Sequence, residues 1–427
     1  MPNYRIWFAG ALISNVGTWM QRIAQDWLVF DDLSSNDSTA MGIVMALQFV
    51  PQIVLAPYVG LLADRLDRRR LLYFTQSAMA VLAAGLGALV LSGAAQLWHV
   101  YLFALALGVV TALDGPVRQT FVSNLVSDRD LPNAVALNSM SFNSARLIGP
   151  AIAGVLVAAV GSGPVFLINT ATFAAMLLAI ALIRVEDLRV IPRAARGESR
   201  MRDGVSYILR RPDLVVTMVG VFLVGTFGLN SAINIAAMAT TEFGYGADQF
   251  GFLSSVMAVG SVAGTLLAAQ RERPRLRLIF GAAGTFGLAS LLAALAPNVA
   301  VFAVGLVPMG LSALTIMTSA NAYIQITTAP IMRGRVMSIY MAVLMGGTPI
   351  GAPLVGLVND AWGARWGLGV AVAAGVAAAL IGIVWYWRHE HLRVRFDRSR
   401  RGFWRLESES SDGPRPVTAA LEAQEPR

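Results

Sequence analysis

Roughly twelve stretches of about twenty or more predominantly apolar residues recur along this chain, at 5–30, 39–63, 71–92, 97–121, 133–160, 163–184, 213–240, 248–270, 277–296, 299–327, 335–358 and 363–387. A helix rises 1.5 Å per residue, so about 20 apolar residues cross the ~30 Å hydrocarbon core of a bilayer. Backbone groups in hydrocarbon must find their partners within the segment, which leaves helices or closed barrels. Runs this long and this uniformly apolar are not barrel strands. Composition agrees, because charged residues make up only 14% of the 427, against about 25% in soluble domains. The expected fold class is an all-α membrane protein with twelve transmembrane helices. The first run is too long for a signal-peptide core and lacks an Ala-x-Ala site, so it reads as a retained first span.

Every cation in the chain is an arginine, and the net charge is +8. The arginines lie almost entirely between the apolar runs, so they read as topogenic charges and not as a nucleic-acid surface. One set of connections carries Arg65 to Arg70, Arg129, Arg184 to Arg211, Arg271 to Arg277, and Arg333 with Arg335. The alternate set carries Asp31, Asp32, Asp37, Glu242 and Asp248, with Arg365 as its one exception. The positive-inside rule then puts both termini in the cytoplasm of a multi-pass protein. With no cysteine and three histidines, of which only His389 and His391 are close in sequence, no metal site is expected.

The longest internal connection divides the spans six and six. The expected organisation is a first bundle over 1–184, a linker over 185–212 with an interfacial helix near Glu198–Arg210, a second bundle over 213–387, and a basic, then disordered, cytoplasmic tail over 388–427. Two local patterns recur roughly 200 residues apart. Gly60-Leu-Leu-Ala-Asp64 matches Gly264-Thr-Leu-Leu-Ala268, and Ile148-Gly-Pro150 through Gly154 matches Ile350-Gly-Ala-Pro353 through Gly356. Such duplication marks carriers built from two repeats.

Charges inside spans are costly unless paired or facing water, so each is a functional candidate. Arg146 lies well inside the fifth span and shares a face with Asn138 and Phe142. It binds an anionic or catechol-like solute, pairs with a proton-releasing carboxylate, or forms a structural ion pair. Asn15, Thr18, Arg22 and Asp26 form a polar track on the first span, expected to face an aqueous cavity with Trp19 beside it. Asp26 reads either as a proton carrier or as the partner of a plain salt bridge to Arg22. Asp114 and Arg118 end the fourth span; Asp114 is a second proton-coupling candidate. The amide pairs Asn230/Asn234, Asn321/Gln325 and Gln48/Gln52 fit solute binding or interhelical packing equally.

Between the second and third spans stands Gly60-Leu-Leu-Ala-Asp64-Arg65-Leu-Asp67-Arg68-Arg69-Arg70-Leu71. It resembles the loop signature of the major facilitator superfamily, with Asp67 where glycine is usual. Gly17-Thr-Trp-Met-Gln-Arg22, the stretch Asn138 to Gly154, and Arg333-Gly-Arg-Val-Met-Ser338 resemble the subgroup of enterobactin (siderophore) exporters and transmembrane secretion effectors. The resemblance implies two pseudo-symmetric six-helix bundles. It implies an inner gate of Gly60, Asp64, Arg65, Arg68 and Arg69, and an antiporter-like motif of Gly149, Pro150 and Gly154.

The function expected is secondary active export of a small amphipathic solute by alternating access, as a proton antiporter in a bacterial plasma membrane. No Walker lysine, nucleophile elbow or pair of catalytic carboxylates is present, so neither ATP use nor enzymatic chemistry is expected. The proton gradient takes the place of a cofactor. The expected partners are a small-molecule substrate and the lipid bilayer, with the protein a monomer. Uptake by the same fold, lipid or lysolipid flipping, and a non-transporting sensor or partner role are the alternatives.

Overall fold

A computed structural model describes residues 2–65, 67–127, 129–189, 201–269, 275–389, 393–396 and 404–407, with the side chains of 57–65, 132, 201, 268, 269, 389 and the last two segments excepted. Eleven helical spans among the described residues are long and apolar enough to cross a membrane. They start with α2 (Ser38–Arg65), α3 (Arg68–Leu91), α4 (Leu97–Leu125), α5 (Leu131–Val160) and α6 (Ser162–Leu182). The seventh span of the sequence reading is Pro212–Glu242, built from α8 (Pro212–Leu223), a π-helical turn and α9 (Ser231–Ala237). Then follow α10 (Ala247–Ala269), α11 (Leu276–Ala294), α12 (Val299–Thr327), the joined pair α13 (Pro330–Gly346) and α14 (Thr348–Trp362), and α15 (Ala364–His389).

The first expected span is a helix too, α1 (Pro2–Trp27), continued by a π-helical segment to Leu33. Its 26 residues reach about 39 Å, but Asn15, Gln21, Gln25 and Asp26 are buried along it, and it is not counted among the eleven apolar spans. It is held by α5 and α6 on either side. The described part of the expected linker helix is α7 (Met201–Leu209), residues 198–200 lying outside the described residues. It docks on protein: Gly204 lies against Arg335 and Ile339 of α13, and Asp203 stands 3.7 Å from Arg335. Past α7, Arg211 grips Asp213 with two bonds of 2.8 and 2.6 Å, and Tyr323 of α12 donates to the same carboxylate. In the tail, Arg393–Phe396 and Trp404–Glu407 form a short antiparallel strand pair.

The first six helices pack on one another, as do α8 and α10–α15. Two extensive crossings join these groups, α5 with α10 and α2 with α14, and α2 also touches α13. Small residues make both possible, because a side chain would hold the backbones apart. A Cβ at Gly251 would stand 2.6 Å from the Cα of Gly154, and one at Gly356 would stand 2.4 Å from the carbonyl oxygen of Ser38. Gly154 and Gly356 are the two repeat positions of the sequence, and each seats on the first turns of a helix in the other group. Both crossings lie toward the end carrying the acidic connections, where Trp27 also meets Phe250, 5.9 Å between ring centroids. Gly251→Val adds three branched carbons against backbone that cannot yield. It should destabilise by about 1–3 kcal/mol, read as a lowered melting temperature of the purified full chain in detergent.

Candidate functional site

Helices α1 to α6 enclose a cavity of about 390 Å³, within the ~300–1,000 Å³ range of small-molecule sites. Its α1 wall is the stripe Asn15, Thr18, Gln21, Arg22 and Gln25. Gln48 comes from α2, Thr111, Asp114 and Arg118 from α4, Asn138 and Phe142 from α5, and Asn169 from α6. Met79, Leu107 and Phe173 supply apolar surface between them. The expected track Asn15, Thr18 and Arg22 and the expected face Asn138 and Phe142 therefore meet across one space.

A buried hydrogen-bond network fixes the floor of this space. The Asp114 carboxylate accepts from Thr75 Oγ1 at 2.7 Å and Gln76 Nε2 at 2.8 Å, and its other oxygen faces Arg118 Nε at 3.3 Å. Arg118 then donates to Asn15 Oδ1 at 2.8 Å and Ser14 Oγ at 3.3 Å, and Asn15 donates to Ser141 Oγ at 3.1 Å. One chain of bonds thus joins α3, α4, α1 and α5. A second link runs from Asn169 Nδ2 to Gln21 Oε1, joining α6 to α1. Polar side chains in an apolar interior hold only when each finds a partner. The sequence reading put Asp114 at the end of its span beside the inner gate. Helix α4 runs on to Leu125, so Asp114 sits three turns inside and pairs with α3.

Trp19 and Arg146 stand next to the cavity. The Trp19 ring meets Phe142 edge-on at 5.7 Å. The Arg22 guanidinium lies 5.2 Å from the Trp19 centroid and 5.7 Å from that of Phe49, and the Arg146 guanidinium lies 5.6 Å from Trp19. These are cation–π distances. Among the described residues neither arginine has a salt bridge or hydrogen bond, and Arg146 makes no ion pair with them. Gly149 lets α5 approach here, since its Cβ would sit 2.6 Å from that of Trp19.

Asp26 departs from expectation. It is 3% exposed and does not line the cavity, its Oδ1 has no hydrogen-bond partner, and it makes no ion pair with Arg22. The next residue, Trp27, meets Phe250 of α10. Asn230 and Asn234 also lie away from the cavity. Asn230 donates to the Thr226 carbonyl of its own span, and Asn234 accepts from Asn359 of α14 at 3.3 Å. Gln325 donates to Asn321, so that pair is bonded to itself.

Of the inner-gate residues, the side chains of Gly60, Asp64 and Arg65 fall outside the described residues. Arg68 donates to Asn124 at the end of α4. Arg69 donates to the Ile180 and Ala181 carbonyls at the C-terminus of α6, where cations are favoured by the helix dipole. Asp67 caps α3 by accepting from the Arg70 amide at 2.8 Å, which gives a physical reason for an acid where the signature has glycine.

At the opposite end, Asp360 of α14 accepts from the amides of Ser38 and Thr39 at 2.9 and 2.8 Å and from the Thr39 hydroxyl at 2.5 Å. Asp37 takes the next amide, Ala40, at 2.8 Å. Two carboxylates thus satisfy three of the four orphan donors of α2, one of them from across the α2–α14 crossing. No spacing rule pointed to Asp360, because its partner lies 321 residues away. No group of three metal-ligating side chains occurs among the described residues.

The model of the transmembrane secretion effector family matches residues 2–393. The staphyloferrin A transporter of Staphylococcus aureus is 24% identical over 93% of this chain and 99% of its own. The multidrug efflux pump Tap of Mycobacterium tuberculosis is 26% identical over 85% of this chain and 88% of its own. Among solved structures, a bacterial homologue of the human lysosomal transporter Spinster, inward-facing and unoccupied, superposes with a TM-score of 0.70 at 15% identity, covering 90% of this chain and 97% of the other. The nucleoside transporter NupG gives 0.67 at 14% identity, covering 91% and 99%.

Asp114→Ala should leave Arg118 without its charged partner and free Thr75 and Gln76. Breaking a buried pair from one side destabilises by about 3 kcal/mol or more. A fall of several degrees in the melting temperature of the purified chain checks it, with Asp114→Asn falling less.

Proposed function

The chain belongs to the transmembrane secretion effector family of the major facilitator superfamily, and on that premise we propose that it exports a small amphipathic solute in exchange for protons. The observation that carries this reading is a polar cavity inside the first six helices, closed toward the acidic end by the α5–α10 and α2–α14 crossings. In the proposed topology α1 is the twelfth span, the two groups of helices are six-helix bundles, and both termini are cytoplasmic in a bacterial plasma membrane. The conformation is then inward-facing, and the solute enters from the cytoplasm or the inner leaflet. Rocking of the bundles about the cavity opens the other side.

Asp26 is the proposed proton site. A buried carboxylate with an unpartnered oxygen, one turn from a cavity arginine, gains or loses a proton with little competing hydrogen bonding. Asp114, held by three partners, is a fixed strut by comparison. Gly60, Asp64 and Arg65 keep their proposed role at the cytoplasmic gate. Asp360 is proposed as its external counterpart, a carboxylate on the positive end of α2 that holds the outer side shut.

The direct test is accumulation of siderophores and drugs in cells lacking their own exporters, with and without this protein. Lower accumulation that a protonophore reverses supports proton-driven export, and Asp26→Asn should abolish it while expression is unchanged. Flux indifferent to the protonophore removes the coupling. Unchanged accumulation across the panel, with the protein confirmed in the membrane, turns weight to uptake or lipid movement.

The outer latch is tested separately, and the absence of native cysteine makes the labelling clean. Ser139→Cys, in the cavity wall, should react with an impermeant maleimide in inverted vesicles and poorly in intact cells. Adding Asp360→Ala should raise the labelling in intact cells severalfold; labelling unchanged by it removes the latch.

A further inference from the structure

The charge in and beside the cavity is unbalanced. Asp114 and Arg118 pair with each other. That leaves Arg22 and Arg146, which both lie within 6 Å of one indole ring and have no salt bridge or hydrogen bond among the described residues. Asp26, one turn beyond Arg22, offsets one of these two charges at most. Two like charges gathered in a low-dielectric wall repel each other, and the repulsion is relieved when an anion arrives. Each guanidinium also carries five donors in a planar fork that matches carboxylate or phosphate oxygens two at a time. The aromatic rings contribute in a different way. Trp19 and Phe142 meet edge-on, and Phe142 lines the cavity as a half-exposed apolar face beside the two cations.

We infer that Arg22, Arg146, Trp19 and Phe142 form a binding site for an amphipathic anion, its carboxylate or phosphate held by the two arginines and its apolar body laid on the two rings. The assignment deepens the export reading by naming a solute class, and it rests on that reading only for direction of movement. A cationic solute is disfavoured by the same two charges, and a neutral one leaves the guanidinium donors without a charged acceptor.

The test reads binding, so a failure of transport bears on the export reading and not on this one. Three probes share one ring system: 1-naphthoate, its neutral amide 1-naphthamide, and the cation 1-naphthylmethylamine. The purified full chain in maltoside detergent is titrated with each, and its melting temperature is followed. Naphthoate should raise it by several degrees, and the amide and amine should not. Arg22→Gln and Arg146→Gln should each weaken naphthoate binding at least tenfold, with Arg146→Lys recovering part of the loss. Size-exclusion profiles establish that each variant is folded, and the lysine variant separates lost charge from lost packing. Lysophosphatidylglycerol and lysophosphatidylcholine form a second arm. Stabilisation by the anionic lysolipid alone, dependent on the arginines, supports the anion site and identifies a lipid as its source. Amide or amine binding as tight as naphthoate overturns the inference. So does an Arg22→Gln/Arg146→Gln double variant that binds either anion like the parent, or the absence of stabilisation by both anions.

Discussion

Hydrocarbon offers no hydrogen bonds, and the rest of this molecule follows from that. Each span must be helical, and each polar side chain within a span needs a partner from a neighbouring helix or from water. Between apolar helices in lipid the hydrophobic effect supplies no attraction, so association depends on close backbone contact and buried hydrogen bonds. Both devices are present, and glycine contacts occur within the groups as well, as where Gly108 of α4 meets Gln48 of α2. Glycine contacts such as Gly154 on Gly251 and Gly356 on Ser38 make the crossings between the two groups of helices. Hydrogen-bonded side chains, with Asp114 and Arg118 at their centre, tie the first group together around the cavity.

The two devices differ mechanically. Shifting a helix within this network would strip Asp114 or Arg118 of its partners. The bonds thus hold the first group of helices together. A glycine crossing is different, because two smooth backbones in contact can separate without stranding a buried polar group. At the α2–α14 crossing the added bonds come from Asp360 at the exposed end, where water replaces them readily. The strong bonds are within the group and the replaceable ones between groups, as a rocking carrier requires.

Much of this was legible in the sequence. The spans were marked by hydropathy within a few residues, because twenty apolar residues in a row have few other uses. The paired repeats at Gly154 and Gly356 were read as a duplication, and both glycines lie at crossings between the two groups of helices. The stripe Asn15, Thr18 and Arg22 and the face Asn138 and Phe142 were set by helical period alone. The misses have physical reasons. Asp26 continues the same stripe, but it is buried among the helices and does not line the cavity. Asp114 was placed one boundary too far out, because an apolar window ends before a helix does when its last turns are polar. Asn230 and Asn234 show the usual amide spacing, and spacing does not say whether an amide faces a cavity or a neighbour. Asp360 and the docking of α7 on α13 are contacts between distant parts of the chain, for which a local pattern carries no signal.

The scarcity of charge in the cavity sharpens the meaning of the charges that are there. In water an unpaired arginine is ordinary, whereas inside a membrane it is kept at an energetic cost. Arg118 is neutralised by Asp114 and braced by Asn15 and Ser14, so it belongs to the scaffold. Arg22 and Arg146 have aromatic rings beside them in place of acids. A ring face attracts a cation without neutralising it and holds the guanidinium in place while its donors stay free. Stacking on Trp19 thus positions two charges toward the cavity at less electrostatic loss than an ion pair would impose. The same argument applies to Gly149, whose lack of a side chain lets α5 bring Arg146 up to that ring. On this view the glycine of the antiporter-like motif and the cavity arginine are parts of one arrangement, a close helix contact that sets the position of a charge.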